Sequence, residues 1–184
     1  MSSSSNPAIP PGRDKQTAAA SVKQVMDLLG DRDPFAVQEE LLSVLEKEIA
    51  GLDDAILRRP EKPGKWSILQ VLQHLADSEL VFRYRMRLVL AQPGAEIPAI
   101  DQDSWAAGLK YNEADPADTL EFLRTLREAN FKMLRSLSDE QMERYGLHSE
   151  RGPESVRKMM RMTAGHDLLH RNQIKRIKRA HGIE

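Results

Sequence analysis

Five histidines stand in this chain, and two of them, His166 and His170, lie four residues apart in Gly165-His166-Asp167-Leu168-Leu169-His170. On a helix, residues i and i+4 share a face with Cβ atoms about 5–6 Å apart, so two imidazoles at that spacing can meet at one point. At helical periodicity Val156, Met159, Met160, Thr163, Ile174 and Ile177 mark the core-facing stripe, and His166, Asp167 and His170 fall within the same arc. Three polar groups therefore sit where the flanking pattern asks for apolar ones. Left unsatisfied, each would cost about 1–3 kcal/mol.

A divalent metal would satisfy them, since imidazole nitrogens bind zinc at about 2.0–2.1 Å. The plainer alternative is a pair of core histidines hydrogen-bonded to neighbours. His74 shifts the balance, because it sits mid-helix at the edge of another apolar face. Three imidazoles leave a tetrahedral ion one position short, open to water or substrate, which is the pattern of a catalytic site. His181 is excluded by distance: eleven residues beyond His170 is about 16 Å along a helix axis. His148 falls on a connector, as a surface residue or as part of a pocket wall.

Two carboxylates accompany the histidines. H-E-x-x-H would place a glutamate general base after the first histidine, but Asp167 is one methylene shorter. It reads as a partner of a ligating ring or as a helix-to-helix hydrogen-bonder, ahead of a general base. Glu79 lies near the middle of an apolar face. It is either an ion-pair partner of an arginine such as Arg83 or Arg171, or a carboxylate supporting the site or facing substrate.

The elements that position these residues are helices. Asp33-Pro34 opens the first main one, with Asp as N-cap and Pro as first helical residue, and Val37, Leu41, Val44, Leu45 and Ile49 as its stripe. Ser67-Ile68-Leu69-Gln70 is a capping box that starts the second, which runs to about Ala91 and carries His74 and Glu79. Asp115-Pro116 opens the third. Pro153 is expected to start the last, which continues to about Ala180. A shorter helix from Gln16 to Leu29 is expected to lie on the bundle, and residues 1–14, rich in Ser and Pro, read as a flexible tail. No alternating strand pattern is apparent. The expectation is an all-α four-helix bundle with a short extra N-terminal helix, one domain over residues 15–184. The crossover at 92–112 holds Trp105 and Tyr111, as lid residues or as anchors of their loop.

Composition narrows the function classes. Among 184 residues, 27 basic and 28 acidic side chains give a net charge of −1, so no global signal for nucleic acid exists. Lys175, Arg176, Lys178 and Arg179 end the last helix, where cations complement the helix dipole. There is no cysteine, hence no thiolate ligand or thiol nucleophile of the chain's own. No apolar run reaches membrane-spanning length and no secretion signal is present, so a cytoplasmic protein is expected. Met159, Met160 and Met162 read as adaptable core filler.

Trp66-Ser67…His74-Leu75-Ala76-Asp77, then Arg144…Gly146…His148…Gly152, then His166-Asp167…His170…Gln173-Ile174 together resemble the DinB-like (YfiT-like) family of bacterial four-helix-bundle proteins. The resemblance covers about residues 34–180. It implies a three-histidine site for a divalent metal, zinc or nickel, held by His74, His166 and His170, and it implies a homodimer. It further implies an enzyme acting on a small molecule, by transfer or isomerisation with a low-molecular-weight thiol co-substrate or by hydrolysis. The alternative is a non-catalytic, metal-stabilised binding or dimerisation module. No catalytic residue beyond the ligands can be named from the sequence.

Overall fold

The computed structural model describes residues 15–183; the expected tail, 1–14, lies outside the described residues. Eight helices and three short strands follow in order: α1 (Lys15–Leu29), α2 (Pro34–Ile49), α3 (Asp54–Arg58), α4 (Ile68–Ala91), β1 (Glu96–Ile97), α5 (Gln102–Gly108), a 3-10 turn (Tyr111–Glu113), α6 (Pro116–Arg135), α7 (Asp139–Met142), β2 (Tyr145–His148), β3 (Gly152–Ser155) and α8 (Val156–Ala180). The expected four-helix bundle is present as α2, α4, α6 and α8. α8 packs on α1, α2 and α4, and α4 packs on α6. Among the described residues no helix is long and apolar enough to cross a membrane.

Local sequence sets where the bundle helices begin. Asp33 and Asp115 each accept backbone N–H bonds ahead of a proline in the first turn. Ser67 and Gln70 complete the capping box of α4. One half of the core joins Leu41 and Leu45 of α2, Leu69, Leu72 and Leu75 of α4, Leu123 of α6, and Ile174 and Ile177 of α8. The other half gathers Phe82, Met86, Val89, Met159 and Met160.

The last helix starts later than its proline suggested. Gly152–Ser155 forms β3, antiparallel to β2, which also pairs in parallel with β1. Pro153 stands opposite Leu147 on an edge strand, where a missing N–H is tolerated. Ser155 is the true cap, accepting from the Lys158 N–H. The strands escaped notice because they are two to four residues long. The inward positions of β2, moreover, are Gly146 and His148 rather than a run of apolar residues.

α1 lies close on α8 at one point. A Cβ on Gly165 would stand 2.0 Å from the Val25 carbonyl oxygen, a contact that only glycine permits. Gly165→Ala should therefore push α1 outward and destabilise the protein by about 1–3 kcal/mol. Thermal unfolding should report the loss, and hydrogen exchange should show faster opening confined to α1; unchanged exchange there would contradict the close approach.

Candidate metal centre

α4 and α8 run side by side, and their facing surfaces bring His74, His166 and His170 together. His166 Nε2 lies 3.1 Å from His74 Nε2 and 3.0 Å from His170 Nε2. The three candidate donor atoms all fall within 4.8 Å of one another. Two nitrogens on one tetrahedral zinc stand about 3.3–3.4 Å apart, a few tenths of an ångström wider than these separations.

The chemistry of the donors also fits a cation. His170 Nδ1 donates to Gln173 Oε1 at 2.7 Å, which fixes the tautomer and leaves a lone pair on Nε2. Burial pulls the His170 imidazole down to about 4, against the raising effect of Gln173. Burial, then His170 and His74, hold His166 well below the ordinary histidine value. Both rings are neutral at pH 7, with lone pairs available. A single nitrogen of His166 cannot donate one proton to both neighbours at once, whereas one cation can take a lone pair from each ring. Trp66 buttresses the arrangement, its ring 4.9 Å from that of His74. Ser78 Oγ approaches His74 Nε2 at 3.4 Å.

Replacing Gln173 by leucine removes the acceptor that orients His170. If the cluster holds a metal, its affinity should fall by about 10–100-fold. Competition against a chromophoric chelator measures this, and an unchanged affinity would show that the ring is held by packing alone.

Behind the histidines lies a buried ionic network that locks the four long helices together. Arg127 of α6 donates through Nη1 to Asp167 Oδ2 (2.7 Å) and to the Gln38 carbonyl (3.0 Å), and through Nη2 to Glu79 Oε2 (2.7 Å). Arg83 Nε donates to the other Glu79 oxygen, and its Nη2 donates to Gln38 Oε1 at 3.1 Å. At Glu79 burial acts to raise the pKa, but the charges and hydrogen bonds of Arg127 and Arg83 outweigh it. At Asp167 burial prevails over Arg127 and lifts the carboxyl to about 6. Asp167 is thus a helix-to-helix hydrogen-bonder. Glu79 pairs with Arg83, as one reading expected, whereas Arg171 faces Glu40 instead. Arg127 was not singled out from the sequence. Its signal was there: it continues the α6 stripe of Leu120, Leu123, Phe131 and Leu134 as a charge in an apolar row.

Of the two readings of His148, the surface residue is ruled out, because the inward position on β2 leaves it 3% exposed; as the pocket-wall reading expected, it lines a groove, together with Arg151 and Lys158. Its Nδ1 accepts from the Glu150 N–H, and its Nε2 has no hydrogen-bond partner. It stands apart from the three-histidine cluster. The basic run at the end of α8 is partly ion-paired within the chain, Arg176 with Glu61 and Lys178 with Glu48.

Two openings reach the cluster. A cavity of about 160 Å³ touches His74 and His166 and is walled by α1, α4, α8 and the segments around Ile100 and Arg151. A wider groove of about 600 Å³ touches His170, Trp66 and Arg176. Gln102 lines both. Trp105 and Tyr111 line neither, so neither acts as a lid; Tyr111 is buried against α4 and anchors its segment.

The family profile described as the DinB superfamily matches residues 38–174. A predicted metal-dependent hydrolase of Bacillus subtilis, YfiT, is 31% identical over 114 residues, covering 62% of this chain and 64% of that protein, a little under two thirds of its length. A similarly named protein of Oceanobacillus iheyensis is 30% identical over 132 residues, covering 71% of this chain and 75% of the relative. The solved YfiT structure, described as an unusual four-helix bundle, superposes with a TM-score of 0.75 at 23% identity, covering 96% of this chain and 94% of that one.

Proposed function

The chain belongs to the DinB superfamily, and from that premise we propose that it is a metal-dependent enzyme acting on a small molecule, with His74, His166 and His170 holding one divalent ion, zinc or nickel. The observation that carries this reading is the convergence of three imidazole nitrogens from two helices. When bound, the ion supplies a Lewis acid that activates a water or a thiol. The chain's own residues do the rest. Gln173 holds His170 with its lone pair forward, Trp66 backs His74, and the network on Arg127 keeps α4 and α8 in register.

Between the two chemistries, thiol-dependent S-transfer is favoured over hydrolysis. Transfer brings together two organic reactants, and the histidines are reached from two separate openings. In that reaction an S–C bond forms at an electrophilic carbon, the leaving group departs with the bonding pair, and the thiol proton passes to solvent. The thiol must come from a small co-substrate, because the chain has no cysteine.

The test loads protein purified without an affinity tag with zinc or nickel. It then follows loss of free thiol with low-molecular-weight thiols and 1-chloro-2,4-dinitrobenzene, alongside hydrolysis of p-nitrophenyl acetate. The expected result is a metal-dependent rate in the thiol assay that drops by about 100-fold or more in His170→Ala, the scale of removing a principal electrostatic contributor. Ester cleavage alone would transfer the assignment to hydrolysis. Inactivity of the metal-loaded protein across a broad panel would favour a non-catalytic metal-stabilised module.

A further inference from the structure

We propose that the cavity beside His74 and His166 contains a carboxylate-binding seat at Arg85, so that its ligand is a small molecule with an apolar body and an anionic end. The inference rests on the function proposed above only in making that ligand a substrate; the seat itself follows from Arg85.

His74, Ser78, Val81 and Arg85 all line the cavity from α4. Their spacing, i, i+4, i+7 and i+11, keeps them on one face, with the last about 16 Å along the axis from the first. The stripe therefore leads from the candidate metal ligand, past a hydroxyl and an apolar step, to a guanidinium.

That guanidinium is unusual in its surroundings. Arg85 is 4% exposed, yet it forms no ion pair with any described residue. Its one hydrogen bond runs from Nη2 to the Pro98 carbonyl at 2.7 Å, which leaves most of a five-donor fork unused. The other two buried arginines, and the half-buried Arg151, differ. Arg83 and Arg127 are held by Glu79 and Asp167, and Arg151 is matched by both oxygens of Glu154. The charges of Glu154 and Glu150 act on Arg85 only from beyond ion-pair distance, and its other contact is with the Phe82 ring at 5.8 Å, so an anion delivered by a ligand would supply the direct counter-ion it lacks. Glu150 also lines the cavity, but it is partly exposed and makes no ion pair with Arg85.

The remaining wall suits an apolar body: Val22, Val25, Phe82, Ile100 and Met162. Burial, with help from Arg151, pulls Arg85 down to about 10, so it stays charged at neutral pH.

Hexanoate and 1-hexanol are the probes, titrated by calorimetry into the full-length protein after incubation with zinc, with metal content read on the same sample. Wild type should bind hexanoate at least tenfold tighter than hexanol. Arg85→Gln should erase that ratio while hexanol affinity stays within twofold. Arg85→Lys keeps the charge without the fork and should keep part of the preference; it decides the matter should the glutamine variant not fold. Equal affinities for the two probes in wild type, or a preference that survives in Arg85→Gln, would overturn the seat. Absence of bound zinc together with an intact Arg85-dependent ratio would sink the metal reading and leave the seat standing.

Discussion

Arg127→Met is expected to cost about 3–5 kcal/mol of stability, because it leaves two buried carboxylates without their shared cation. Arg127 is 2% exposed and bridges Asp167 of α8 and Glu79 of α4 while also binding the Gln38 carbonyl of α2. At about 2–4 °C per kcal/mol for a chain of this size, the melting temperature should fall by about 10 °C. Methionine fills comparable volume, so the loss would come mainly from stranded charge rather than from a hole. The double variant that adds Asp167→Asn should recover much of it, since a neutral amide is cheaper to bury than an unpaired carboxylate, while Glu79 keeps its pair with Arg83. Thermal unfolding in the presence of a chelator makes the comparison independent of metal. A loss under about 1 kcal/mol would show that the network is solvated and not a structural lock.

His166→Ala should abolish high-affinity metal binding. His166 is the middle member of the cluster, within 3.1 Å of His74 Nε2 and 3.0 Å of His170 Nε2. Loss of a ligand should exceed the 10–100-fold penalty typical of disturbing a group that merely orients one. The ring is partly exposed toward the cavity, so the fold should survive its removal. His148→Ala is the matched control, because that ring is buried but lies outside the cluster. Its metal stoichiometry should equal that of wild type. Metal content by mass spectrometry of protein purified without an affinity tag decides between the two variants. Equal occupancy in His166→Ala and wild type would remove the ligand assignment.

Much of the fold was legible because its signals are local. An Asp-Pro pair or a Ser-x-x-Gln box fixes a helix start within a few residues, and α2, α4 and α6 begin where those signals stand. The three histidines were legible for a related reason: a polar residue on an apolar stripe is conspicuous at helical spacing. What was not legible depends on distant segments meeting. Arg127 stood in the core row of α6, yet nothing along the chain tied it to Glu79, 48 residues upstream, or to Asp167, 40 residues downstream. The three-stranded ribbon depends on β1 meeting β2 across about fifty residues, and Pro153 gave a competing helix signal that pairing overrode. His148 turned inward only as a consequence of that pairing. The part played by α1 as a cavity wall was equally hidden, since it depends on Gly165 letting Val25 approach.

Crystals of tag-free protein loaded with zinc, with diffraction recorded on either side of the zinc absorption edge, test the central claim most directly. One anomalous peak per chain is expected, about 2.0–2.1 Å from a ring nitrogen of each of His74, His166 and His170, with a further position open toward the cavity. A peak elsewhere, or one contacting fewer than three of these rings, would contradict the account.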